Sequence, residues 1–285
     1  MTIEEIQKEM VGFEREIRMV LAALRARLPV MVEGDAGTGK TELAKVVARS
    51  LQREIFRVDG DPELTALKLQ GWFDPPLVLQ KGYQWETFIP GPLTSALLQG
   101  GIFFFNEVNR APAESLNAVL SALDERILNI PRLAAIQAKE SFVSIFTLNP
   151  YDRIGTNPLP KAFYDRCVWI YMDHQPLEKA IEIVRMRTAE EDAGLLRSIC
   201  QIVEATRNHP LIERGASVRA AIHIIRMIQS LREEEKQFSL KEIEYLCVMA
   251  LSKNIKPTYD TAKSPEELVK EIVEEVMSKK KPLIL

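Results

Sequence analysis

Gly34-Asp35-Ala36-Gly37-Thr38-Gly39-Lys40-Thr41 satisfies the spacing G-x-x-x-x-G-K-[ST], and what flanks it decides the fold. Before it runs Leu28-Pro29-Val30-Met31-Val32-Glu33, a short apolar stretch of strand character. After it, Leu43, Val47 and Leu51 recur at helical spacing. A glycine-rich loop between a strand and a helix suits a phosphate group. Glycines let successive backbone N–H groups turn inward without a Cβ clash, and the helix points its positive end at the same anion. In this pattern Gly34, Asp35, Ala36, Gly37, Thr38 and Gly39 form the cradle. Lys40 reaches the β- and γ-phosphates, and the Thr41 hydroxyl ligates magnesium.

Outward from the loop, further buried-strand candidates are residues 55–58, 102–105, 142–148 and 168–172, with helical patterns between several of them, notably 113–125. Strands alternating with helices imply a parallel sheet covered on both faces. Residues 4–27 read as one amphipathic helix, with Ile6, Met10, Phe13, Ile17, Val20, Leu21 and Leu24 on its stripe. Residues 77–88 read as a β-hairpin turning at Lys81-Gly82, and a second hairpin fits between Arg126 and Ser141. Past Asp173-His174-Gln175-Pro176 strands disappear. Helices are expected at 177–188, 192–206, 216–232, 239–252 and 265–279. The expected boundary separates a nucleotide-binding αβα domain, 1–174, from a helical domain, 175–285.

Composition narrows the class. The chain has 285 residues, 46% of them hydrophobic and 27% charged, as in globular proteins. No apolar run reaches the roughly 18 residues of a membrane span. The acidic, amphipathic start MTIEEIQKEM does not read as a secretory signal. Thirty-seven basic against 40 acidic residues give a net charge of −3, without the basic excess of a nucleic-acid grip. The basic run Lys279-Lys280-Lys281 reads as a solvated tail. Cys167, Cys200 and Cys247 are too far apart for a metal or disulfide framework and read as buried thiols in a reducing cytoplasm. His174, His209 and His223 lack metal-ligand spacing.

An ATPase built on such a loop needs an acid at a neighbouring strand end to hold magnesium, and a second carboxylate to activate water. The apolar strand at 102–105 ends in Asn106-Glu107. The stretch Asn106-Glu107-Val108-Asn109-Arg110-Ala111-Pro112, with Gly91-Pro92-Leu93 upstream, resembles the second acidic motif of MoxR-type AAA+ ATPases, where Asp-Glu-Ile-Asn-Arg-Ala-Pro is typical. The resemblance runs from about residue 10 to 220. It implies an AAA+ αβα sandwich with a parallel sheet, followed by a small all-helical lid. By it, Val11 and Gly12 contact adenine, Glu107 positions the attacking water, and Asn149, before Pro150, is the sensor 1 residue. Leu159-Pro160-Lys161-Ala162-Phe163-Tyr164-Asp165-Arg166 is similar to the segment whose arginine, here Arg166, reaches a neighbouring subunit's site as a finger. Gly215-Ala216-Ser217-Val218-Arg219 resembles sensor 2, with Arg219 on the γ-phosphate. The 77–88 insertion falls where the helix-2-insert branch carries its own. Its Tyr83, Trp85 and Phe88 either touch a substrate or pack the insertion on the core.

The resemblance further implies ATP and Mg2+ as cofactors and a cytoplasmic homo-oligomer, a hexameric ring. Such a ring remodels or activates a protein partner, in that family often one with a von Willebrand factor A domain. Position 106 departs from the pattern. Asn keeps the shape and one acceptor oxygen of Asp but loses its charge, so slow hydrolysis with intact binding is expected. Two other readings stay open. One is a nucleic-acid-associated motor subunit, and the other a regulatory subunit that binds ATP with little hydrolysis. No Asn-Lys-x-Asp motif points to guanine.

Overall fold

The computed structural model describes residues 3–151, 156–232 and 239–278. The chain divides into two compact units, Met1–Asp173 and His174–Leu285. The first is built on a parallel sheet of five strands: β1 (Val30–Glu33), β2 (Ile55–Asp59), β3 (Ile102–Asn106), β4 (Val143–Leu148) and β5 (Val168–Tyr171). Their spatial order is β2-β3-β4-β1-β5. Alternation along the strands fills both faces. Phe103, Phe105, Phe146 and Met31 join Leu93 and Leu97 of the helix Pro92–Gln99, and Leu116 and Val119 of the helix Ala113–Asp124. Ile102, Phe104, Ile145, Val30 and Val32 join Ile17 and Leu21 of the helix Glu14–Arg25, and Leu43 and Val47 of the helix Lys40–Leu51. Each such fully buried side chain contributes roughly 1.5–3 kcal/mol. That is why the strands read as continuous apolar runs rather than alternating ones.

The structure corrects three expectations. The helix expected over 4–27 is broken into Ile3–Gln7 and Glu14–Arg25. Gly12 and Phe13 take φ of 77° and 60°, left-handed values that end a helix. The Gln7 side chain holds the break by bonding both the N–H and the carbonyl of Gly12, at 3.0 and 3.1 Å.

The hairpin expected at 77–88 is not one. Pro75–Lys81 is a helix, Trp85–Thr87 a 3₁₀ turn, and the antiparallel partner of Phe88–Pro90 is Gly71–Phe73. Asp74 caps the helix by accepting from Leu77 N at 3.1 Å, and Pro75 follows at its first turn. This cap and proline outweigh the β-character of Leu77-Val78-Leu79. Thr87, buried, then ties down the turn, its one hydroxyl proton shared between Gly82 O and Gln84 O at 3.0 and 2.9 Å. Phe88 is buried, whereas Tyr83 and Trp85 are about half exposed. Tyr83 meets Phe73 edge-on at 4.9 Å and lies under the Arg132 guanidinium at 4.0 Å. A short pair, Ile127–Leu128 with Ile136–Gln137, lies within the second expected hairpin.

In the second unit, helices Leu177–Thr188, Ala193–Asn208, Val218–Arg232, Leu240–Leu251 and Pro265–Ser278 enclose their own apolar core. Strand does not vanish there, the third correction. Ile212–Arg214 pairs antiparallel with Lys256–Pro257 and staples two loops. The basic run 279–281 lies outside the described residues. Among the described residues no helix is long and apolar enough to cross a membrane.

Burial pushes the thiols of Cys167, Cys200 and Cys247 up to about 12. The reactive thiolate at pH 8 is then on the order of one part in ten thousand. Ellman's reagent should titrate the native protein slowly and find all three thiols only after denaturation. A thiol reacting within the mixing time of the native protein would show that burial does not protect that cysteine.

Candidate nucleotide site

The phosphate loop leaves the end of β1 and is shaped by close backbone approach. Gly34 N donates to Leu148 O at 3.2 Å, and a Cβ on Gly34 would overlap the carbonyl oxygen of Met172, just past β5. Only glycine fits there. Gly37 and Gly39 sit at φ of 77° and 101°, and the Thr38 hydroxyl closes the turn on Asp35 O at 2.9 Å. The Asp35 carboxylate accepts from Ala36 N at 2.6 Å. Lys40 is buried, and its ammonium donates to Gly34 O and Asp35 O, both at 2.7 Å. The helix Lys40–Leu51 begins at Gly39 without a side-chain cap. Such a start directs its first N–H groups forward, where an anion satisfies them. The glycine geometry, the uncapped helix start and the buried ammonium fit a polyphosphate. Beside them, a Cβ on Gly39 would stand 3.5 Å from Met10 Cε. The segment carrying buried Val11 and Gly12 therefore borders the loop.

The tips of β2, β3 and β4 supply the other wall. Asn106 Oδ1 accepts from the Thr147 hydroxyl at 2.9 Å and faces the Thr41 hydroxyl at 3.5 Å. Its Nδ2 donates to Asp59 Oδ1 at 2.8 Å. The Arg57 guanidinium forks onto the same carboxylate at 2.6–3.2 Å. Burial raises the Asp59 pKa, but hydrogen bonds from Arg57 and Asn106 outweigh it and leave the carboxyl below its ordinary value. Glu107 is left-handed, at φ 51°. Its N–H donates to Thr147 Oγ1 at 2.8 Å, and its carboxylate meets Arg110 Nε at 3.2 Å. Magnesium prefers oxygen ligands and keeps part of its shell for water and phosphate oxygens. Converging oxygens of Thr41 and Asn106 fit that role. Among the described residues no cluster of three or more His, Cys, Asp or Glu could hold a metal instead.

The remaining expected residues lie as follows. Asn149 is buried just past β4, and its side-chain oxygen accepts from Tyr151 N at 3.1 Å. That bond uses the amide's oxygen end and makes the turn at Pro150. Arg166 follows the short helix Lys161–Tyr164, and its principal partner is Asp124 rather than its neighbour Asp165. Its guanidinium clasps both oxygens of Asp124 and donates to Ala162 O at 2.6 Å. Arg219 is exposed at the start of the helix Val218–Arg232 in the second unit. Thus Lys40, Thr41, Asn106 and Glu107 share one sheet edge with Asn149, while Arg166 is held by Asp124. Sequence reasoning missed Thr147 and Asp59. Thr147 could have been suspected as a buried hydroxyl in the apolar run Val143–Leu148. Asp59 lay one residue beyond the strand expected to end at Val58.

Comparison with known proteins bears on the fold. Residues 29–167 match the family model described as AAA domain (dynein-related subfamily). The chain is 30% identical to gas vesicle ATPase GvpN1 of Halobacterium salinarum, over 68% of this chain and 60% of that protein. It is 28% identical to gas vesicle ATPase GvpN of Haloferax mediterranei, with the same coverage. The chain thus spans about three fifths of the length of these gas vesicle relatives. Bacillus subtilis YeaC is 26% identical, over 97% of this chain and 92% of its own length. A crystal structure from Cytophaga hutchinsonii superposes with a TM-score of 0.54 at 22% identity, covering 98% of this chain and 93% of that one. It supports the fold alone. With its phosphate loop, its β2-β3-β4-β1-β5 sheet and this match, the chain has the AAA+ αβα fold, and residues 29–167 are similar to the AAA domain of that family model.

Proposed function

We propose that the chain binds Mg-ATP and hydrolyses it as a ring-forming AAA+ ATPase, a hexamer, that remodels or activates a protein partner. The observation that carries this reading is the meeting of Thr41 with Asn106, and of Asn106 with Glu107's neighbour Thr147, beside the buried Lys40 ammonium. When bound, ATP supplies the phosphoryl group and magnesium neutralises its charge. Lys40 exchanges the carbonyls of Gly34 and Asp35 for phosphate oxygens. Thr41 and Asn106 hold the metal. Glu107 orients water and takes its proton, and Asn149 steadies that water through its amide N–H. Arg219, at the start of a helix in the helical domain, 175–285, is the sensor 2 residue of this reading.

Arg166 acts in trans. A guanidinium reaching the neighbouring site stabilises transition-state charge and raises rate by about 10³–10⁵. Assembly then has to exchange its Asp124 contact for the neighbour's nucleotide. The partner class follows the MoxR resemblance, with a von Willebrand factor A domain as the first candidate, and the setting is the cytoplasm. A second reading, a subunit that binds ATP with little turnover, is favoured by two observations. Asn106 brings no charge, and the Glu107 carboxylate lies 3.2 Å from Arg110 Nε.

Lys40→Ala should abolish tight binding of a fluorescent ATP analogue at equilibrium. Unchanged affinity would show that the loop does not hold the phosphates. ATP should also drive assembly, seen as a rise in sedimentation coefficient. Arg166→Ala should keep binding and lose phosphate release by at least about a hundredfold. A chain that stays monomeric at high concentration with ATP contradicts both the ring and the finger.

A further inference from the structure

An amide differs from a carboxylate in having a direction. One end of Asn106 accepts and the other donates, and only the accepting end can serve a cation. Three observations fix that direction. β2 and β3 pair so that Asp59 stands opposite Asn106, and Asp59 Oδ1 takes the Nδ2 proton at 2.8 Å. Thr147 donates its single hydroxyl proton to Asn106 Oδ1 at 2.9 Å, while its oxygen accepts from Glu107 N. The strand tips are also tied at the backbone. Gly60 N donates to Asn106 O at 2.7 Å, and a Cβ on Gly60 would overlap Glu107 O. A turned amide would set its oxygen against the Asp59 carboxylate and its N–H groups against Thr41.

We propose that Asp59 is the positioning residue of the metal side of this site, holding the Asn106 amide with its oxygen toward Thr41, so that Asp59 and Asn106 form an acid–amide pair with the acid on β2 rather than β3. The role rests on the reading above that Thr41 and Asn106 hold magnesium. Arg57 completes the arrangement by gripping both Asp59 oxygens from the exposed side. By sequence alone, Asn106→Asp restores the missing charge and is expected to speed turnover with little gain in affinity. The pair says otherwise, since that change sets two carboxylates side by side where one hydrogen bond now stands. Exchanging the two residues keeps one acid, one amide and one bond between them.

The test measures equilibrium binding of a non-hydrolysable fluorescent ATP analogue, with saturating magnesium and with EDTA, for the whole chain and three variants. In the native protein magnesium should tighten binding. Asp59→Asn should shrink that gain by about tenfold, the usual scale for a residue that orients a metal ligand, and leave the EDTA affinity unchanged. Asn106→Asp alone should bring no larger gain. The double variant Asp59→Asn/Asn106→Asp should restore it. An undiminished magnesium gain in Asp59→Asn, or an improved one in Asn106→Asp alone, overturns the pair and leaves the metal assignment standing. Equal losses in both arms make Asp59 merely structural and also overturn it. A native protein whose binding ignores magnesium removes the metal assignment itself and this role with it.

Discussion

Parallel strand direction is the constraint on which the rest of the first unit depends. Because β1 to β5 all run the same way, their carboxyl ends open on one edge, where α/β sheets bind ligands. Glu33 leads into the phosphate loop there, Asp59 and Asn106 face each other across a register pair, and Leu148 delivers Asn149. Hydrogen-bonded neighbours in this sheet are far apart in sequence. Asn106 and Asp59 are 47 residues apart, and Thr147 and Asn106 41. Helices on both faces bury the three central strands, β3, β4 and β1, almost completely. The site's precision is inherited from the core.

Local signals carried most of what was legible. The loop is written in eight contiguous residues, Gly34 to Thr41, whose chemistry has few other uses. Strand positions followed from apolar runs bounded by glycine and polar residues, and all five occur within a residue or two of the expected spans. The hairpin expectation at 77–88 failed because the apolar run Leu77-Val78-Leu79 has strand character by itself, whereas Asp74-Pro75 just before it is a two-residue helix cap signal. Breaks such as Gly12-Phe13 depend on a side chain five residues away, Gln7, which periodicity does not register.

What the sequence hid was pairing. Glu107 announces itself by following an apolar strand, but Thr147 is a lone hydroxyl inside one, and Asp59 an ordinary-looking acid at a strand's end. Their meaning comes from lying beside Asn106 in the sheet. The departure from Asp at position 106 looked like a simple loss of charge when read in one dimension. In three dimensions it is half of an exchange between adjacent strands, with a threonine on the other side reading the orientation of the amide. A residue's conservative replacement can be judged only against the groups that face it.

One contact at the sheet's far edge has an optical consequence. Trp169 on β5 donates its indole N–H to the carboxylate of Glu33 at 2.6 Å, and stacks on Tyr171 with ring centroids 6.1 Å apart. Glu33 is the last residue before Gly34. The fluorophore is therefore bonded to the residue that leads into the phosphate loop, while Trp72 lies on the strand Gly71–Phe73 and Trp85 in the turn Trp85–Thr87. Any change at Glu33 alters a bond whose donor emits light, and the molecule carries its own dye where its loop begins.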